Sequence, residues 1–108
     1  GNYHFSIPLP SDDSVGRPRA LAVTPGGRVA VAFAQGGVMV LEDSGRVVRR
    51  PAGFGPEEGQ VEDPCGLAIM PRDGAQPARL FVLDRYGDRV QVFSLEGGCY
   101  GAFPALVS

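Results

Sequence analysis

Lysine is absent from this 108-residue chain, and all ten basic residues are arginine. The plainest source of that bias is a GC-rich gene. Tryptophan is also missing, and histidine occurs once, as His4. With one histidine and two cysteines, Cys65 and Cys99, the chain lacks the roughly four closely spaced ligands of a zinc site. The cysteines are expected to be reduced and unbonded. His4 has no evident nucleophile partner, so a Ser-His-Asp arrangement is not supported. "GRVAVAFAQGG" has glycines, but no Gly-Lys-Ser/Thr follows to make a phosphate loop. The adjacent acids Asp12-Asp13, Glu57-Glu58 and Glu62-Asp63 read as solvated charge, because a calcium loop needs more ligands at defined steps. No catalytic residue, cofactor or metal ligand is therefore assigned.

Long apolar runs are missing too. None approaches the ~20 residues of a membrane helix, and no basic stretch leads into an apolar one at the N-terminus, so no leader is expected. No membrane partner is expected, and the compartment is expected to be cytoplasmic. The formal charge of -2 gives no global field for gripping nucleic acid. Helical periodicity is also lacking. No window of about 11 residues keeps a 3.6-residue period without a Gly or Pro.

What is abundant is glycine (16) and proline (10), set between short apolar runs. That is the pattern of many strands and many turns. It is also repeated. "PRALAVTPGGRVAVAFAQGGVMVLEDSGRVV" from Pro18 lies over "PCGLAIMPRDGAQPARLFVLDRYGDRVQVFSLEGGCY" from Pro64. Leu21 meets Leu67, Ala22 meets Ala68, Val31 meets Val82, Val38 meets Val90 and Val40 meets Val92. A period of about 46 residues with four apolar runs per copy is a propeller or array signature. Strands are predicted at 19–24, 28–33, 37–42 and 46–50, then at 66–70, 79–84, 89–94 and 99–103. Residues 1–10 look like the last strand of a preceding copy.

The best-patterned stretch is "LFVLDRYGDRVQVF", residues 80–93. Asp84 ends one predicted strand and Arg89 opens the next, at the same end of a hairpin. Such a carboxylate can accept N–H bonds in the turn, as an Asx-turn does, and can face the guanidinium. The pair reads as a latch that fixes register. Phe33 and Gly37 replace it in the first copy. Together with "PCGLAIMP", this stretch resembles an NHL repeat, whose pattern runs P-x-G-L/V-A-V, then V-x-D, a turn, and R-V-Q-V-F.

The resemblance implies an all-β fold: two four-stranded antiparallel blades plus one extra strand of an NHL-type β-propeller. Residues 1–10 would be the trailing strand of a preceding blade, 18–50 a degenerate blade and 64–103 a well-matched one. NHL-type rings have about six blades, so two do not close a ring. The chain would be part of a larger protein, one of several copies in a ring, or an open or strand-swapped arrangement that self-associates through its blade edges. Such propellers sit at the C-terminus of tripartite-motif E3 ubiquitin ligases, where they bind substrates or RNA. The resemblance therefore implies a recognition module for a protein partner or ubiquitination substrate. The alternatives are an RNA-binding segment, a fragment of a propeller lyase or lactonase, and a purely structural scaffold or oligomerisation module.

Loops on rigid scaffolds are where binding residues gather. In an up-and-down sheet, loops 9–17, 34–37, 51–65 and 84–89 share one end. From these, Phe54, Glu57, Glu58, Arg85 and Arg89 are the candidate partner-binding residues. Phe54 has two readings: an exposed anchor, or the preferred one, a ring tucked between sheets that pins its loop. The opposite end carries Arg28, Arg46, Arg72 and Arg79, the candidates for RNA, diluted by Asp43, Asp73 and Glu96.

Overall fold

The computed structural model describes residues 7–9, 14–57, 59–75, 77–85 and 88–95, and the backbone alone of 99–104. Among these residues the chain is all-β, in two sheets. The first runs in the order β1 (Pro18–Val23), β2 (Val29–Phe33), β3 (Gly37–Leu41), β4 (Val47–Phe54), β5 (Gln60–Val61). The second runs β6 (Pro64–Met70), β7 (Arg79–Asp84), β8 (Arg89–Ser94), β9 (Cys99–Pro104). All eight predicted strands are present within a residue or two of their expected bounds, apart from β4, which runs further. No helix among the described residues is long and apolar enough to cross a membrane. Of the trailing strand expected at 1–10, only 7–9 are described, and they are not in a strand.

Two differences concern the first sheet. β4 continues past the expected stop at 50, and β5 adds a fifth strand, paired in parallel through Gly53–Gln60 and Phe54–Val61. Pro51 and Gly53 look like breakers in sequence. In the structure the β3–β4 register shifts between the pairs Val38–Ala52 and Val40–Arg49. A bulge there accommodates a proline that a regular ladder would not, because proline has no N–H to donate.

The two sheets share one register. The pairs Leu21–Val31, Ala22–Ala30 and Val31–Met39 of the first recur as Leu67–Val82, Ala68–Phe81 and Val82–Gln91 of the second. Even the irregularity is repeated: the shift between Pro18 and Ala20 returns between Pro64 and Gly66. The repeat seen in the sequence is thus a repeat of backbone pairing.

Strand alternation sorts each sheet into two faces. Ala30, Ala32, Val38, Val40 and Ala52 of the first sheet pack with Leu80, Val82 and Phe93 of the second, and partly buried Leu67 and Ile69 join them. Each large side chain fully buried here contributes about 1.5–3 kcal/mol. The other face of the first sheet holds a separate cluster, Val31, Phe33, Met39 and Leu41, with Val15 and Val47 against it.

Candidate functional site

Residues 55–57 and 59–63 belong to a strap that carries the chain from the first sheet to the second. Its local order starts with its own backbone. Gly55 N–H donates to Val61 C=O at 3.0 Å, and Gln60 N–H donates to Glu57 C=O at 2.9 Å. Val61 is fully buried in the core between the sheets. That burial alone cannot fix the polar backbone around it, which needs partners once water is excluded.

Three side chains of the second sheet supply them. Asp84, at the end of β7, accepts from Glu62 N–H at 3.0 Å and Asp63 N–H at 2.9 Å. Arg89, across the ladder on β8, donates to Gln60 C=O at 2.9 Å and meets Asp84 at 3.4 Å. Gln91, two residues on and on the same face, accepts from Gly59 N–H at 2.9 Å and donates to Gln60 C=O. Asp84 and Gln91 are 0% exposed. Strand alternation explains the set. Asp84, Arg89 and Gln91 share the face that turns toward the first sheet, so their polar ends reach the strap.

Asp84 and Arg89 do lie together at one end of the hairpin, as the latch reading expects. The Asp84 carboxylate also reaches beyond its own turn, since Glu62 and Asp63 of the strap both donate to it. That turn is closed by Asp88 N–H donating to Arg85 C=O at 3.2 Å, with Asp88 at φ 49°. Aspartate is one of the few residues that tolerates this left-handed conformation. The latch ties the strap to the sheet as well as fixing the hairpin.

Outside this buried set lies an exposed rim. Phe54, at the end of β4, is 50% exposed. The preferred reading, in which it tucks between sheets and pins its loop, does not hold. Val61 and the polar triad pin the strap, which leaves the ring of Phe54 in contact with water. Glu57 is exposed, with its backbone engaged by Gln60. Arg85 is exposed and donates to Asp63 at 3.0 Å, and Arg19 of β1 reaches the same carboxylate at 3.3 Å. The hydrogen bond and charge of Asp63 hold Arg85 above its ordinary pKa. Arg89 belongs to the buried latch and is not part of the rim. Glu58 lies outside the described residues.

The four arginines at the opposite end are less available than the sequence suggests. Arg46 donates to Glu42 at 3.0 Å, and Arg79 is directed at the Met70 sulfur at 2.8 Å. Arg28 and Arg72 are exposed with no partner among the described residues. Arg28 shares a hollow of about 160 Å³ with Arg49, Thr24 and Leu95. Arg49 was not singled out in sequence because it falls within a strand.

Cys65 is an exposed free thiol with Sγ 3.6 Å from Leu83 C=O. Among the described residues no three of His, Cys, Asp and Glu come together as a metal site requires. Gln91 is the functional residue that sequence reasoning missed. Its signal was a glutamine on the buried side of an otherwise apolar strand, where the first copy has Met39. No protein-family model matches the chain, and no curated protein is similar enough in sequence to count as a relative.

Proposed function

We propose that the two sheets are blades of an NHL-type β-propeller and that the chain is a protein-recognition module. It would be of the kind that selects substrates in tripartite-motif ubiquitin ligases. The observation that carries this reading is Phe54: a half-exposed aromatic ring beside a strap whose backbone is held by three buried or nearly buried polar side chains. Aromatic anchors on ordered scaffolds dominate protein interfaces, because little conformational freedom is lost when they dock. Glu57 and Glu62 stand on the strap that pairs with Phe54, and Arg85 and Asp88 stand in the β7–β8 turn to which that strap is bonded, so the fitting partner has an apolar pocket with a basic rim.

RNA is the weaker partner. Two of the four candidate arginines are already engaged, and phosphate binding grows with the number of cations that release counterions. The test is a phage-displayed random-peptide library selected on the chain, with single-stranded RNA titrated in parallel. Selected peptides should lose at least about tenfold in affinity on Phe54→Ala, roughly 1.4 kcal/mol. Peptides that bind the variant equally well overturn the site. Tight RNA binding that is lost when Arg28, Arg46, Arg72 and Arg79 become alanine reverses the order of partners.

A further inference from the structure

The shared register has a geometric consequence for the two outer faces. Within the chain, the first sheet presents the face carrying Ala22, Ala30, Ala32, Val38 and Val40. The second sheet meets it with the face carrying Leu67, Ile69, Leu80 and Val82. Through the repeated pairs, the outer face of the second sheet is the counterpart of the first sheet's contacting face. Ala68, Phe81, Leu83 and Val92 stand where Ala22, Ala30, Ala32 and Val40 stand. Likewise the outer face of the first sheet, with Leu21, Val23 and Val31, is the counterpart of the face with Leu67, Ile69 and Val82. The molecule therefore ends in the two complementary halves of the contact that already joins its sheets.

Both halves are apolar, and each has an exposed margin among the described residues beside a covered centre: Val31 and Leu41 on the first sheet and Val92 on the second are buried. On the second sheet Met70 is 43% exposed and Leu83 is 39% exposed. On the first, Leu21 and Val23 are 67% and 66% exposed. Beside them runs a groove of about 630 Å³ lined by Ile7, Leu9, Leu21, Val29, Val31 and Leu41. The alanines of the internal contact are replaced on the outer face by Phe81 and Leu83, so bulk is added on one side and a groove is present on the other. Large exposed apolar surfaces mark interaction sites.

We infer that these two faces bind each other between copies of this chain, head to tail, with Met70, Phe81 and Leu83 of one copy entering the groove beside Leu21 and Val23 of the next. The occupant is a second copy because the contact continues one already present in the molecule, and the two faces differ. An arrangement of this type is heterologous, and it closes into a ring or runs on. The edges of the sheets are not needed for it. The polar part of the internal contact has no counterpart. Arg19 pairs with Asp63 inside the chain, and the equivalent positions between copies hold Cys65 and Arg17. Association is accordingly apolar and resistant to salt.

Sedimentation and native mass spectrometry of the full chain across concentration test this. The parent should populate species above the monomer, with affinity changing less than about threefold between low and molar salt. One variant carries Met70→Asp and Leu83→Asp, the other Leu21→Asp and Val23→Asp. All four sites are exposed, and retained folding is checked by circular dichroism and the unfolding midpoint. Each variant alone should be monomeric, with association weakened at least about tenfold. Mixed, they should form a one-to-one heterodimer and stop there, because each retains one intact face. A parent that stays monomeric overturns the inference. So do variants that self-associate as the parent does, and a mixture that does not pair. Loss of peptide binding at Phe54 would leave this result untouched, so the two proposals fail separately.

Discussion

In the second sheet the strap leading into β6 is tied down by Asp84, Arg89 and Gln91. In the first, the segment leading into β1 is tied down by Val15 against a cluster that includes Phe33 and Met39. Phe33, Gly37 and Met39 occupy the same register positions as Asp84, Arg89 and Gln91. One backbone bond is common to both: Ala34 N–H to Arg17 C=O at 2.8 Å, and Arg85 N–H to Asp63 C=O at 3.0 Å. The rest of the solution is inverted, polar in one sheet and apolar in the other. The comparison separates what the pairing geometry requires from what either set of side chains happens to provide. Geometry requires that something cover the sheet's end and satisfy its entering segment, and either chemistry suffices.

The largest effect should come from removing the centre of the polar set. Asp84→Ala leaves Arg89 without its carboxylate and two strap N–H groups without an acceptor, all in a buried place. Breaking a buried pair on one side costs about 3–5 kcal/mol. Urea unfolding monitored by circular dichroism measures it. The sharper variant transplants the whole first-sheet set, Asp84→Phe, Arg89→Gly and Gln91→Met. It removes the uncompensated charge, so it should recover at least about 1 kcal/mol relative to Asp84→Ala, though strap carbonyls lose their donors. A triple variant as unstable as Asp84→Ala would show that the strap backbone, not the charge balance, dictates the polar set.

The reverse transplant should fail for a backbone reason. Gly37 has φ 71°, and a Cβ there would sit 2.1 Å from the Ala52 C=O oxygen. No side chain fits without moving β4. Gly37→Ala should therefore cost about 2–4 kcal/mol, combining left-handed strain with overpacking. Arginine at 37 should do no better. If Gly37→Ala unfolds at the parental denaturant midpoint, the inversion between the sheets is not enforced by geometry.

These particulars also mark what was legible in the sequence. Strands and turns were legible because apolar alternation and Gly/Pro punctuation are local. The run through Pro51 was not, because a bulge set by β3 decides whether a proline is tolerated. The latch was legible as a pair because Asp84 and Arg89 end and open adjacent strands. Its third member, Gln91, and its reach to the strap depend on which face turns inward between sheets. The same uncertainty put Arg89 among surface binders and Phe54 among buried pins. Turn-adjacent arginines usually point outward and aromatics between glycines usually tuck in. Arg89 instead lies on the strand face that turns toward the first sheet, and Val61 rather than Phe54 fills the core.

The smallest effects should come from surface charge, and they too should differ between the sheets. Glu42 and Arg46 close a single turn of the first sheet, and the arginine side chain is 72% exposed. Exposed pairs of that kind contribute about 0.2–0.5 kcal/mol, and salt screens them. Asp63 is placed differently. It receives Arg85 at 3.0 Å and Arg19 at 3.3 Å, so one carboxylate joins the second sheet, the strap and the first strand of the first sheet. A network of three charges fixes geometry better than an isolated pair, because each partner limits the freedom of the others. Asp63→Asn should then lower the urea midpoint more than Glu42→Gln. The gap should narrow but persist at high salt, where Glu42→Gln should be indistinguishable from the parent. Equal losses for the two variants at low salt would mean that Asp63 bridges the sheets without stabilising their contact.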